Sequence, residues 1–543
     1  MKPKILATTV LFANILFANS SEITLEWLKD KPRTYAKDFY IWQYLKQEIT
    51  PQEAIDALGQ ARYVNNRLFY QYAKKLKHDE TFAVMQCMKA SASSLSNSNA
   101  DCIEAGLSVY KATKLKSTQL NKVHETLLEK YPNTANIVDV VRAPIPFTKL
   151  ISSSNDVFFK TFNNCGSKFR TNYFNYKIPK KSLNRILKDK RFNQTIKLIV
   201  TNNQMKLAQK TLLGIDDSSL NHQSSFLLAI NALKHDKKTI AIKYLDNAYT
   251  KAYYQFDKDK VTFWKYLATK SKFYLFDLTN SWDVNIYSLY AKEFFYKNIK
   301  KNIIHELSVK NPNAFAEYHD VSSPFFWIPI LNDLKKINDE KLLKYENMLL
   351  DDETLPHLTF IYERYYQYRK SYFITPYKKH LENYTADRQS LIYSIARQES
   401  RFIPSSISTA YAMGVMQIMP FLSKAIAKQL EDNYDINDQL KPDVNLRYAN
   451  FHLNFLESKM KHPLLIAYAY NGGIGFTRRM LKNGLFSKES KHKELEPFLS
   501  MELVPYEETR KYGKKVLANY YVYKNHLDKE KPVSLKALLE KLQ

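Results

Sequence analysis

Apolar residues recur at helical spacing in consecutive pairs of runs through the first half of this chain. Leu227, Leu228, Ile230 and Leu233 form one stripe, and Ile240, Ile242, Leu245 and Ala248 form the next. Residues three and four apart share a helix face, so the two runs read as a helical hairpin. A hairpin with one apolar face cannot bury it alone, and stacking on its neighbours gives an irregular solenoid. Further helices are expected over 51–62, 68–77, 101–114, 117–130, 224–233, 238–252 and 262–270. Glycine supplies only 10 of 543 residues and alternating β-branched runs are few, which argues against a β-rich fold. The expected class is all-α: a helical-hairpin superhelix, ring or horseshoe, over 21–300, followed by a separate C-terminal α domain.

The chain is long enough for about three or four domains. A helical connecting segment carrying Pro312, Pro324 and Pro329 is expected over 301–372, and Pro376 opens the last domain, 373–543. The tail after Tyr523 is basic and amphipathic and reads as a last packed helix. Residues 1–20 have the form of a signal peptide. Lys2 and Lys4 precede an apolar stretch from Ile5 to Phe17 that is too short to span a bilayer, and Ala18-Asn19-Ser20 supplies small residues for cleavage. No later segment is apolar enough to span a bilayer, so a soluble exported protein without stable membrane insertion is expected.

The net charge is +27, with the lysines spread along the chain, which reads as a solvated basic surface. Nucleic acid is excluded as a partner because an exported protein seldom meets it. The three cysteines, Cys87, Cys102 and Cys165, lack metal-ligand spacing, and neither metal nor cofactor is expected. Cys87 and Cys102 flank the loop 91–99 between two helical runs, so a disulfide between them is a candidate in an oxidising compartment, leaving Cys165 buried.

The residue that most suggests chemistry is Glu399. Leu391, Ile392, Ile395 and Ala396 make an apolar stripe, and Glu399 falls on it one turn beyond Ile395, in a helix expected to end near Phe402 before Pro404. Burial disfavours the charged carboxylate, so such a glutamic acid can remain protonated near neutral pH and act as a general acid. The alternative is a salt bridge to Arg397 or Arg401. The segment 400–430 contains no other carboxylate.

Three further blocks accompany Glu399-Ser400. They are Gly414-Val415-Met416-Gln417-Ile418-Met419-Pro420, Ala469-Tyr470-Asn471-Gly472-Gly473 and Val504-Pro505-Tyr506-Glu507-Glu508-Thr509-Arg510-Lys511-Tyr512. In this order they resemble the soluble lytic murein transglycosylases, over roughly 373–543. Tyr411, Ala449 and Gly472 depart from that pattern, which has glycine at the first two positions and alanine at the third. His452 stands for a tyrosine and Gly513 for a valine. Tyr411 is the departure expected to reshape the cleft.

The resemblance implies a lysozyme-like catalytic domain over a helical ring, acting on peptidoglycan glycan strands in the periplasm during wall remodelling and turnover. Glu399 would be the catalytic acid and base. Ser408, Met416, Gln417, Met419, Tyr470 and Asn471 would bind substrate, with Ser400, Glu508 and Arg510 structural beside the site and the last two paired with each other. His452 and His462 are expected to be structural. Substrate-assisted cleavage needs only one protein carboxylate, unlike the common two-carboxylate scheme. A lysozyme-type hydrolase and a non-enzymatic helical scaffold are the alternatives. The basic charge would favour residence on a wall whose peptide stems carry carboxylates.

Overall fold

The computed structural model describes residues 23–76, 78–298, 302–307, 320–349 and 353–542. The signal-peptide segment, residues 1–20, lies outside them. Helices run from Leu25–Lys29 to Leu535–Glu540, and the paired strands among the described residues are Ile303–Ile304 and Ser371–Tyr372, joined in parallel. This two-residue pair, with isolated bridges from Met413 to Ile407 and Ile418, leaves the expected all-helical class intact among the described residues.

The hairpin read from the apolar stripes is present as His222–Lys234 packed on Lys238–Lys251. Asn221 accepts a hydrogen bond from the Ser224 backbone N–H and fixes the start of the first helix. Asp236, at φ 57°, turns the chain between the two. The first helix is buried from Gln223 to Leu233 because hairpins pack against it on both sides. The expected helix over 101–114 is instead two, Ala100–Gly106 and Val109–Ala112. Ser108 makes the break: its side chain accepts from the Lys111 N–H and starts a new helix.

The Cys87–Cys102 bridge is formed, with Cα atoms 5.2 Å apart, and Cys165 is a buried free thiol. The bridged helices approach so closely that a Cβ on Gly106 would lie 2.2 Å from the Cys87 carbonyl oxygen, so glycine is required there. Non-reducing peptide mapping of exported protein should therefore recover one linked pair, Cys87 with Cys102, and alkylation should reach Cys165 only after unfolding. A bridge involving Cys165 would contradict this arrangement.

The helical array meets the C-terminal region at both of its ends. At the near end, Phe39 packs with Tyr411, Met413 and Leu440. Arg67 donates to the Ala410 carbonyl at 2.7 Å, and Asn65 donates to the Thr409 carbonyl at 3.1 Å. The Tyr411 side chain thus faces the array rather than the cleft. Its ring is 1% exposed, lying 5.7 Å from Phe39 and 5.4 Å from Trp42, and its left-handed backbone (φ 66°) turns it toward the array. At the far end, Phe498 lies 4.4 Å from Phe263, and Tyr287 donates to Glu502 at 2.7 Å. One continuous apolar core therefore runs from Ile137 in the array to Leu542.

The connecting segment contributes its own cluster around Trp327, Leu342 and Ile361, which also takes in Ile403. The long helix Glu507–Leu527 runs past Tyr523, and the last helix follows as Leu535–Glu540. Glu293 of the array accepts hydrogen bonds from the Leu535 and Lys536 N–H groups at the start of that last helix.

Candidate active site

The helix Ala386–Glu399 ends on the glutamate, three residues before the expected stop. Arg401 (φ 56°) and Phe402 (φ 68°) both take left-handed backbone conformations, so the chain leaves the helix before Pro404 could break it. Leu391, Ile392, Ile395 and Ala396 are buried as their spacing requires and anchor the helix. Neither flanking arginine pairs with Glu399. Arg397 and Arg401 share Glu363, at 2.9 and 3.1 Å, and Arg397 also donates to the Tyr372 carbonyl.

Glu399 is half-buried and accepts one hydrogen bond, from the Tyr512 hydroxyl at 2.7 Å. Burial pushes its carboxyl up to about 7. The Tyr512 hydrogen bond opposes that rise, and the charge of Glu508 adds to it. Such a group is present in both protonated and ionised forms near neutral pH, as a general acid that later serves as base requires.

The loop from Ser406 to Met419 forms one wall. Met413 and Ile418 exchange backbone hydrogen bonds at 3.0 and 2.9 Å, and Gly414 (φ 80°) and Gln417 (φ 49°) close the turn. A Cβ on Gly414 would meet the Gln439 carbonyl oxygen at 2.1 Å, so only glycine fits. Ser400 donates to the Val415 carbonyl at 2.7 Å and ties the end of the glutamate helix to this loop. Gln417 donates to the Ser406 and Gly414 carbonyls at 3.0 and 2.9 Å. The Ser408 hydroxyl accepts from the Ala410 and Ala412 N–H groups, which makes it a brace of the turn rather than a partner of Glu399.

Met419 is half-buried, just before the helix Pro420–Leu430. Met416 is fully buried, and its side chain belongs to the core rather than to the cleft lining expected of it.

The opposite wall comes from the helix Pro463–Gly472, which ends at Gly473 (φ 84°). Tyr470 donates to the Met416 carbonyl at 2.7 Å, close enough to Glu399 for that charge to raise its own hydroxyl further above the usual range that burial already exceeds. Asn471 donates to Glu508 at 3.0 Å and accepts from Thr509 at 2.6 Å. The expected Glu508–Arg510 pair does not form. Positions two apart on a helix point to different sides. Arg510 is buried instead against the Glu502 and Val504 carbonyls, at 3.4 and 2.9 Å.

His452 sits 5.8 Å from the Tyr470 ring, and burial lowers its pKa, which favours a neutral imidazole. His462 is buried; it accepts from the Leu464 N–H and its other ring nitrogen meets the Leu538 carbonyl oxygen at 2.8 Å. Among the described residues no group of His, Cys, Asp and Glu could hold a metal ion.

Two supporting residues escaped the sequence reading. Tyr512 follows Glu508 by one helical turn and so shares its face, a spacing that could have revealed it. Asn445 is buried; its amide oxygen accepts from the Met416 N–H at 2.7 Å and its nitrogen donates to the Met413 carbonyl at 3.2 Å. Nothing in local sequence marks that role, because its partners lie about thirty residues away.

Residues 377–493 match the family model described as the transglycosylase SLT domain. Among curated proteins, the putative soluble lytic murein transglycosylase of Haemophilus influenzae is 35% identical over 141 residues, 26% of this chain and 23% of that protein. The soluble lytic murein transglycosylase of Escherichia coli is 30% identical over 167 residues, 30% of this chain and 25% of that one. The match thus spans about a quarter of the length of these relatives. Among solved structures, the 70 kDa soluble lytic transglycosylase of Escherichia coli aligns with 93% of this chain and 88% of its own, at 15% identity and a TM-score of 0.49. The lytic transglycosylase Slt of Pseudomonas aeruginosa aligns with 93% and 89%, at 16% identity and a TM-score of 0.46. The family match ends before Glu508 and Tyr512, so the partner of Glu399 lies outside it.

Proposed function

We propose that this protein is a lytic transglycosylase that cleaves the β-1,4 bond between N-acetylmuramic acid and N-acetylglucosamine in peptidoglycan. The observation that carries the reading is a single half-buried glutamic acid, raised to about 7 and hydrogen-bonded to Tyr512, inside a segment matching the SLT family.

Protonated Glu399 gives its proton to the glycosidic oxygen as the C1–O bond breaks. The 2-acetamido oxygen of the substrate attacks C1, so no second protein carboxylate is required. Glu399, now ionised, takes the proton from the C6 hydroxyl, whose oxygen closes onto C1 and displaces the acetamido group. The product is 1,6-anhydro-N-acetylmuramic acid, and the carboxyl regains its proton without net use of water. Ser408, Gln417, Met419, Tyr470 and Asn471 are proposed as the surrounding substrate contacts. Residues 373–543 are proposed as the catalytic domain, 301–372 as the helical connection and 21–300 as the array that engages the strand. Residues 1–20 are proposed to direct export to the periplasm, for a role in wall remodelling and turnover. No described helix is long and apolar enough to cross a membrane.

The pH profile tests the assignment. With the acid form required for the first step, kcat/KM on soluble glycan should fall about tenfold per pH unit above about 7. Tyr512→Phe removes the hydrogen bond that favours the ionised carboxyl, so its limb should move to higher pH. A limb unmoved by Tyr512→Phe would show that another group controls the step.

A further inference from the structure

A cavity of about 840 Å³ lies between the array and the C-terminal region, with Glu508 at its edge. On the C-terminal side Phe476 and Tyr506 stack, their centroids 4.4 Å apart and their planes within 17°, and Tyr506 is 57% exposed. The shelf depends on Gly472, where the resembling family has alanine. A Cβ there would lie 2.8 Å from the Phe476 ring and 3.1 Å from Thr509, so alanine would displace the ring or the helix behind it. Gln194 and Gln204 line the same cavity from the array, and Arg479 and Asn483 line it from the C-terminal side. None of these four side chains has an intramolecular hydrogen bond or ion pair among the described residues.

The other charges of the cavity are largely matched within the protein. Arg170 is bound to two backbone carbonyls, and Lys197 lies 3.8 Å from Glu507. Free amides donate and accept at once, and an exposed aromatic face offers apolar surface to the C–H side of a pyranose. An uncharged polymer carrying hydroxyl and acetamido groups fits this lining better than an acidic peptide, which would find one free arginine. Asn471 joins the cavity to the catalytic region, because it bonds Glu508 and directly follows Tyr470.

We infer that this cavity is a second binding site for N-acetylated glycan, which holds a strand beyond the catalytic cleft. The choice of glycan rests on the function proposed above, whereas the binding measurement does not depend on turnover. In the Glu399→Gln background, isothermal titration with the N-acetylglucosamine hexamer should show binding that Tyr506→Ala weakens about tenfold, the scale of one lost aromatic contact. Gln204→Ala should weaken it in the same direction. With Glu399 restored, Tyr506→Ala should slow release from sacculi and leave turnover of a muropeptide tetrasaccharide unchanged. Hexamer affinity unaffected by Tyr506→Ala would overturn the inference, as would displacement of the hexamer from this site by a free stem pentapeptide. If the protein turned over no glycan while hexamer binding still required Tyr506, the proposed function would fail and this site would stand.

Discussion

Glu399→Gln is expected to abolish release of soluble muropeptides from sacculi, lowering kcat by about a thousandfold or more, since the proposed mechanism asks one residue for both the acid and the base step. The fold should persist, because the amide oxygen can still accept from Tyr512. Stability should change in a direction that identifies the cause. The native carboxyl binds its proton more tightly than the unfolded chain does, so the wild type loses stability as pH rises from about 4.5 to about 7 and remains penalised above that. Glutamine has no such penalty. The variant should therefore be more stable than wild type at pH 8, by on the order of 2 kcal/mol after allowance for partial solvent access, and equal to it near pH 4.5. Denaturant unfolding at the two pH values checks this, and a variant less stable at both would show that the carboxyl is held in its ionised form. Near-wild-type release by Glu399→Gln would instead move the chemistry to another group.

Lys514→Met should be the most damaging substitution outside the site. Lys514 and Glu502 are 2% and 1% exposed and meet at 2.6 Å, and Tyr287 of the array donates to the same carboxylate oxygen at 2.7 Å. Burial pushes the Glu502 carboxyl up, but the charges of Lys514 and Lys260 and the hydrogen bonds outweigh it and hold it below its ordinary range. Removing Lys514 leaves a buried carboxylate without its closest counter-charge, at a cost of about 3–5 kcal/mol. Adding Glu502→Gln should recover part of that loss, and the double-mutant cycle in urea gives the coupling. The penalty of the single variant should also shrink toward pH 4–5, where Glu502 can take up a proton. Because this cluster joins the array to the C-terminal region, its loss should loosen both. Equal stability of Lys514→Met and wild type would mean that water reaches the pair.

The contrast between these two centres shows what a sequence discloses. The helix carrying Glu399 was legible because its apolar stripe repeats locally, and so was the Cys87–Cys102 bridge, whose partners flank one short loop. The hairpin at 222–251 was legible for the same reason. What escaped is non-local. Tyr512 reaches Glu399 across 113 residues, and Tyr411 reaches the Asp38 carbonyl across 373. Motif spacing assigned Tyr411 to the cleft, whereas an apolar pocket at the start of the array claims its ring. Glu508 and Arg510 looked like a pair because they are near in sequence, yet the helix turns them apart. Gly513 reads only as a missing side chain until the Tyr468 ring is seen 2.1 Å from where its Cβ would be.

Mass spectrometry of the products released from purified sacculi tests the central assignment most directly, because it reads the fate of C1. Closure of the C6 hydroxyl under Glu399 leaves muropeptides ending in 1,6-anhydro-N-acetylmuramic acid, lighter by one water and without a reducing end. Products ending in reducing N-acetylmuramic acid would show that water is the acceptor, and would make the protein a muramidase rather than a transglycosylase.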